Sequence, residues 1–174
     1  MKKLLVLACL LLSSLGLGLH AQVTKGPSLG LWYEYGLNKP FRTSDMMSAN
    51  LVAGFGYSFN GKWFVRIPVK YAVGLYKMPE TKTFEGYLVM GGTVGYDVVN
   101  TSTHVIELTL TAGGTVTKGN YQYAYYDVGA ALHIGPQQDI TKVTIGLGFR
   151  YTQSFSNHFK NYPGMYVSIG FRMN

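Results

Sequence analysis

Residues 63–76 read Trp63-Phe64-Val65-Arg66-Ile67-Pro68-Val69-Lys70-Tyr71-Ala72-Val73-Gly74-Leu75-Tyr76. Taken at every second position, the stretch separates into two unlike faces. One carries Trp63, Val65, Ile67, Val69, Tyr71, Val73 and Leu75. The other carries Phe64, Arg66, Pro68, Lys70, Ala72, Gly74 and Tyr76. A period of two belongs to an extended strand, whose side chains alternate between faces. The same alternation recurs in segments 27–37, 46–59, 84–98, 104–116, 123–135, 142–152 and 165–173. Turn residues separate them: Asn60-Gly61, Asn100-Thr101-Ser102, Gly119-Asn120 and Gly135-Pro136. No segment has a helical period, so the reading is all-β with eight strands.

Across all eight segments, Glu34, Glu85, Asp97, Glu107 and Asp127 share one face with Arg66, Lys70, Lys142, Arg150 and Arg172. The other face carries no Asp, Glu, Lys or Arg. Two barrels of opposite polarity fit this pattern. A soluble, lipocalin-like ligand-binding barrel turns the apolar face inward; a membrane barrel turns it toward lipid. Three features favour the second.

An eight-stranded barrel is just wide enough for side chains to fill, and the apolar face holds too many large rings for that space. Glycines cluster on the polar face, at 30, 36, 54, 56, 74, 91, 95, 113, 129, 146, 148 and 170, as a crowded interior requires. Aromatic residues on the apolar face gather near strand ends. With both termini periplasmic, Tyr33, Tyr35, Tyr71, Phe84, Tyr126, Phe149 and Tyr151 form an outer girdle. Tyr57, Phe59, Trp63, Tyr96 and Phe171 form an inner one. Hydrocarbon forbids an open sheet edge, and an even strand count closes antiparallel. The expected fold is an eight-stranded antiparallel up-and-down transmembrane β-barrel.

Residues 1–21 have the form of a signal peptide: Lys2 and Lys3, an apolar run, then Ala21 before Gln22. Val6-Leu7-Ala8-Cys9 resembles a lipoprotein box, but the apolar run continues well past the chain's single cysteine. The expected domain is 22–174, without thiol chemistry. Basic residues outnumber acidic ones, 15 to 8, yet they are spread singly. That spread, with a signal peptide, argues against nucleic acid as a partner. Charged residues make up only 13% of the chain, which also holds 14 tyrosines and 22 glycines.

In pattern, the whole of 22–174 resembles the small outer-membrane β-barrels of the OmpA-transmembrane-domain, OmpX and PorT-like group. The terminal alternation Val167, Ile169, Phe171, Met173 resembles the strand that barrel assembly machinery reads during biogenesis. The usual aromatic last residue is replaced here by Arg172-Met173-Asn174. The resemblance implies outer-membrane localisation and a monomer.

Counting from the turns places Glu107 opposite Gly95, with Asp97 one step along and Arg66 approaching the same glycine. It places Asp127 near Arg150. Glu34, Arg66, Lys70, Glu85, Asp97, Glu107, Asp127, Arg150 and Arg172 are therefore the candidate lumen charge network. A buried charge needs a partner, so the expectation is a salt-bridged plug and not an open pore. No His/Asp/Glu spacing suggests a metal site, and no cofactor is expected.

A lipid-A-modifying enzyme using loop residues is the alternative. Its candidates are Ser154, Ser156 and His158 in the loop 153–164 and Ser44-Asp45 in the first loop. His104 is the lone lipid-facing histidine, at the wrong strand end. The outer loops 38–45, 77–83, 117–122 and 153–164 carry Lys39, Arg42, Lys77, Lys82, Lys118 and Lys160 against Asp45 and Glu80. Such a rim suits the anionic head groups of lipopolysaccharide or an acidic partner. The functional expectation is a structural or surface-interaction barrel without enzymatic activity.

Overall fold

Eight alternating segments become eight strands. The computed structural model describes residues 28–41, 46–77, 82–119, 121–136, 140–156 and 160–173. The strands are β1 (Ser28–Pro40), β2 (Met46–Ser58), β3 (Trp63–Lys77), β4 (Lys82–Asn100), β5 (His104–Thr115), β6 (Tyr123–Ile134), β7 (Thr141–Ser154) and β8 (Tyr162–Met173). The expected signal segment, and Arg42, Ser44, Asp45, Glu80 and His158, lie outside the described residues.

Each strand pairs antiparallel with its neighbour in sequence, and β1 pairs with β8, so the sheet closes. Partners can be followed around the wall from Leu29 through Tyr57, Val65, Val94, Leu110, Val128, Phe149 and Met165. The circuit returns to β1 at Lys39, ten residues beyond its start. That stagger over eight strands implies a tilt of roughly 40° and a bore that side chains fill.

The apolar face points outward. In β7, Lys142, Thr144, Arg150 and Thr152 are buried, while Val143, Ile145, Leu147, Phe149 and Tyr151 are exposed. Among the described strand side chains, the outward face holds a single Asp, Glu, Lys or Arg. It is Lys39, at the loop end, because β1 runs to Pro40 and not to residue 37.

Two girdle assignments need correction. Tyr33 pairs directly with Phe171, so these two rings sit at one level and not in opposite girdles. Strand tilt is the reason, since it brings the middle of β1 beside the last residues of β8. Phe84 stands beyond any girdle. The β3–β4 ladder continues to Lys77–Lys82, whereas β4 meets β5 only from Val89–Thr115. Phe84 is on the part of β4 that outruns β5 and is 73% exposed. At the end carrying the termini, Trp63 and Tyr96 are paired with ring centroids 4.8 Å apart. Toward the loop end, Tyr126 pairs with Tyr151.

Pro68 sits mid-strand without shifting the register. The β3–β4 ladder runs to Arg66–Thr93, skips Ile67 and Pro68, and resumes at Val69–Met90. On the other side Pro68 still pairs with Gly54. The missing donor thus costs a local gap against β4 only. The β2–β3 turn is built by Asn60, whose Oδ1 accepts from the backbone N–H of Lys62 and Trp63. Gly61 follows with φ 72°, a left-handed conformation that favours glycine.

Several of the inward glycines are sockets for inward rings. A Cβ on Gly95 would fall inside the Phe64 ring, and one on Gly56 would meet Trp32. Gly91 and Gly113 lie against Tyr125, while Gly129 and Gly148 lie against Tyr166. Overpacking a filled core costs roughly 1–3 kcal/mol, and Gly95→Val should lose that much in urea unfolding. Phe64→Ala in the same chain should recover part of the loss. A Gly95→Val midpoint equal to the parent's would contradict the socket.

Candidate functional site in the lumen

Inward parity brings residues from all eight strands into one column. Nearest the termini, Arg172 of β8 donates from Nη1 and Nη2 to the two carboxylate oxygens of Asp97, at 3.1 and 3.2 Å. The same Nη1 reaches Glu107 at 3.2 Å. Glu107 also faces His133 Nε2 at 3.0 Å and Arg66 at 3.7 Å. The other ring nitrogen of His133 contacts the Thr144 hydroxyl at 2.8 Å. Arg66 continues the chain to Glu34 at 3.3 Å. Trp32 and Phe64 stack with centroids 5.6 Å apart, and both guanidinium groups lie 5.3–5.9 Å from these rings. Lys142 is buried at the same end and shares a small cavity with Asp97 and Arg172.

A second cluster sits higher. Arg150 grips Asp127 through Nε and Nη2, both at 2.7 Å. Lys70 reaches Asp127 at 3.5 Å and places its ammonium 3.9 Å from the Tyr125 ring centroid. Above this, Tyr87, Tyr121, Tyr123 and Tyr125 form a buried group with Ala72 and Val89. Between the clusters lies a cavity of about 50 Å³. Rings and ion pairs therefore interrupt the column at both levels.

Against the sequence reading, Glu107 opposes Asp97 and not Gly95, which pairs with Thr109. A register irregularity between Asp97 and Val99, next to the 101–103 turn, displaces the count. Arg66 pairs with Thr93, and the space over Gly95 holds the Phe64 ring and no charge. Asp127 pairs with Arg150 across β6 and β7. Glu85 lies apart from both clusters, opposite Gly74 and beside Gly119 of the loop after β5. The sequence puts His133 in the lumen near a turn but gives it no partner, and turn counting left out Trp32, Phe64, Tyr125 and Tyr166. Each lies on the inward parity already visible in its strand, so the signal was present.

Of the residues considered for loop chemistry, Ser154 Oγ accepts from the Ser156 N–H and contacts its carbonyl. His104 is exposed near the termini, with Nδ1 2.7 Å from the Thr103 hydroxyl. No group of three His, Cys, Asp or Glu suited to a metal occurs among the described residues.

No family model matches the chain, and no curated protein matches it. Among solved structures it is similar to Neisserial surface protein A. The alignment with that crystal structure has 20% identity, covers 87% of this chain and 99% of the other, and gives a TM-score of 0.45. The surface role in that name belongs to that protein.

Glu107 is the acceptor on which Arg66, Arg172 and His133 converge. Glu107→Gln keeps the shape but turns a donor toward two guanidinium groups. Leaving buried polar groups unsatisfied costs about 1–3 kcal/mol, and urea unfolding should register a loss of that size. Asp97 and Glu34 still hold the arginines, which keeps the cost moderate. A neutral substitution would mean that the three contacts do not cooperate.

Proposed function

We propose that this chain is a monomeric outer-membrane β-barrel with a structural or surface-interaction role, its lumen closed by ion pairs. One observation carries the reading. Between the strand ends, the described outward face is apolar and free of Asp, Glu, Lys and Arg, while Lys70, Asp97, Glu107, Asp127, Lys142, Arg150 and Arg172 are buried. In water this distribution is unfavourable twice over, exposing apolar area and desolvating charge. A lipid surround removes the first cost, and pairing offsets the second. A lipocalin-like barrel has the reverse polarity.

In this reading the outward rings meet lipid, and the alternating end of β8 is read by the barrel assembly machinery during biogenesis. The basic loop residues, Lys39, Lys118 and Lys160 among them, favour the anionic head groups of lipopolysaccharide. A signal peptide would carry the chain across the inner membrane. The closed column makes the barrel a rigid support for its loops, and no reaction is assigned to it.

The test is reconstitution. The refolded chain should enter vesicles, migrate differently in detergent gels before and after boiling, and give no steady conductance in planar bilayers. Large stable channels would overturn the closed lumen. A folded monomer in plain buffer without amphiphile would overturn the membrane assignment.

A further inference from the structure

Charge is not evenly matched along the lumen. At the end carrying the termini, three acids (Glu34, Asp97 and Glu107) stand beside three bases (Arg66, Lys142 and Arg172). In the higher cluster Lys70 and Arg150 share one carboxylate, Asp127, which is committed to Arg150 by two 2.7 Å bonds. Both cations are buried, Lys70 at 7% and Arg150 at 6% exposure. Glu34, the nearest further acid lining this space, is engaged by Arg66. With Lys70 ionised, one positive charge is thus left over in a buried, low-dielectric space. The faces of Tyr125 and Tyr166 offset only part of that.

Beside the unmatched charge lies the cavity of about 50 Å³, whose wall holds three bases (Lys70, Arg150 and Arg66), two acids (Asp127 and Glu34) and Ser168. A water-sized guest needs roughly 10–15 Å³ of such space, so one chloride-sized ion fits with water beside it. Two of the lining groups lack a partner: Ser168 Oγ and Arg66 Nε make no hydrogen bond. Ser168 is 9% exposed. Both are donors, and a cavity that pairs spare donors with a spare positive charge has the chemistry of an anion site. We propose that this cavity binds one small inorganic anion of halide size, held between Lys70 and Arg150 with Ser168 and Arg66 as further donors. Tyr166 and Pro68 complete the wall of the space.

The experiment refolds the chain from urea in bromide as the only small anion, then crystallises it for anomalous diffraction at the bromine edge. An anomalous peak inside the cavity beside Lys70 and Arg150 is expected. Density explained by water alone would overturn the site. In solution, the urea midpoint should be higher in bromide than in an equal concentration of bulky methanesulfonate. Lys70→Gln should abolish that difference. An equal bromide effect in Lys70→Gln refutes the site, and should that variant not fold, the anomalous map of the unmodified chain decides.

Discussion

Asp127→Ala should destabilise the barrel by about 3–5 kcal/mol, the cost of leaving buried charge without its partner. The site makes the upper half of that range the expected outcome. Asp127 is the acid that both Arg150 and Lys70 contact, at 2.7 and 3.5 Å, and all three are buried. Its removal leaves the Arg150 guanidinium without its partner, facing Lys70 in a narrow space among tyrosine rings. Adding Lys70→Met and Arg150→Met to the same chain should restore most of the loss, because apolar side chains of similar volume can replace a buried ion cluster at little cost. Equilibrium unfolding in urea, on refolded protein in one lipid, measures both. A near-neutral Asp127→Ala, or a triple variant no better than the single one, would contradict the paired lumen.

Leu110→Arg tests the outward face in the same assay, with an expected loss of roughly 2–4 kcal/mol. The register selects this position. Leu108 pairs with Tyr96, and Ala112 pairs with Tyr126, so Leu110 lies midway between two aromatic levels. Its partners are Val94 and Val128, and it is 61% exposed. A cation there sits farthest from either interface and cannot easily snorkel to water. Val116→Arg is the control, because Val116 follows β5 at the loop end. It should change stability by no more than about 0.5 kcal/mol, the usual range for surface substitutions. Equal and small effects at both positions would mean that Leu110 faces water.

Much of the fold was legible in the alternation of single strands. In β7, inward and outward positions read directly from Lys142-Val143-Thr144-Ile145, since each residue type matches one environment. Strand ends were less legible: β4 extends two residues beyond the expected segment at each end, because Lys82-Thr83 carries no apolar signal and the consecutive Val98-Val99 breaks the alternation. Relations between strands were legible only where a turn was regular. Asp127 was found beside Arg150. Glu107 was expected opposite Gly95, because the irregularity between Asp97 and Val99 leaves no mark in composition. The Tyr33–Phe171 pairing was missed for a related reason: girdle heights depend on the ten-residue stagger, which belongs to the closed barrel and to no single strand. His133 was legible as inward but not as a partner of Glu107, since they pair across strands 26 residues apart.

The two tryptophans allow the most direct test of the central claim, that apolar side chains face acyl tails and charge is sealed inside. Trp63 is outward and 51% exposed, whereas Trp32 is inward and 2% exposed. Trp32→Phe leaves only the first and Trp63→Phe only the second. Each variant is refolded into vesicles whose acyl chains carry bromine, a contact quencher of indole fluorescence. Strong quenching with Trp63 alone and little with Trp32 alone is the expected result. Unquenched Trp63, or stronger quenching of Trp32, would contradict it.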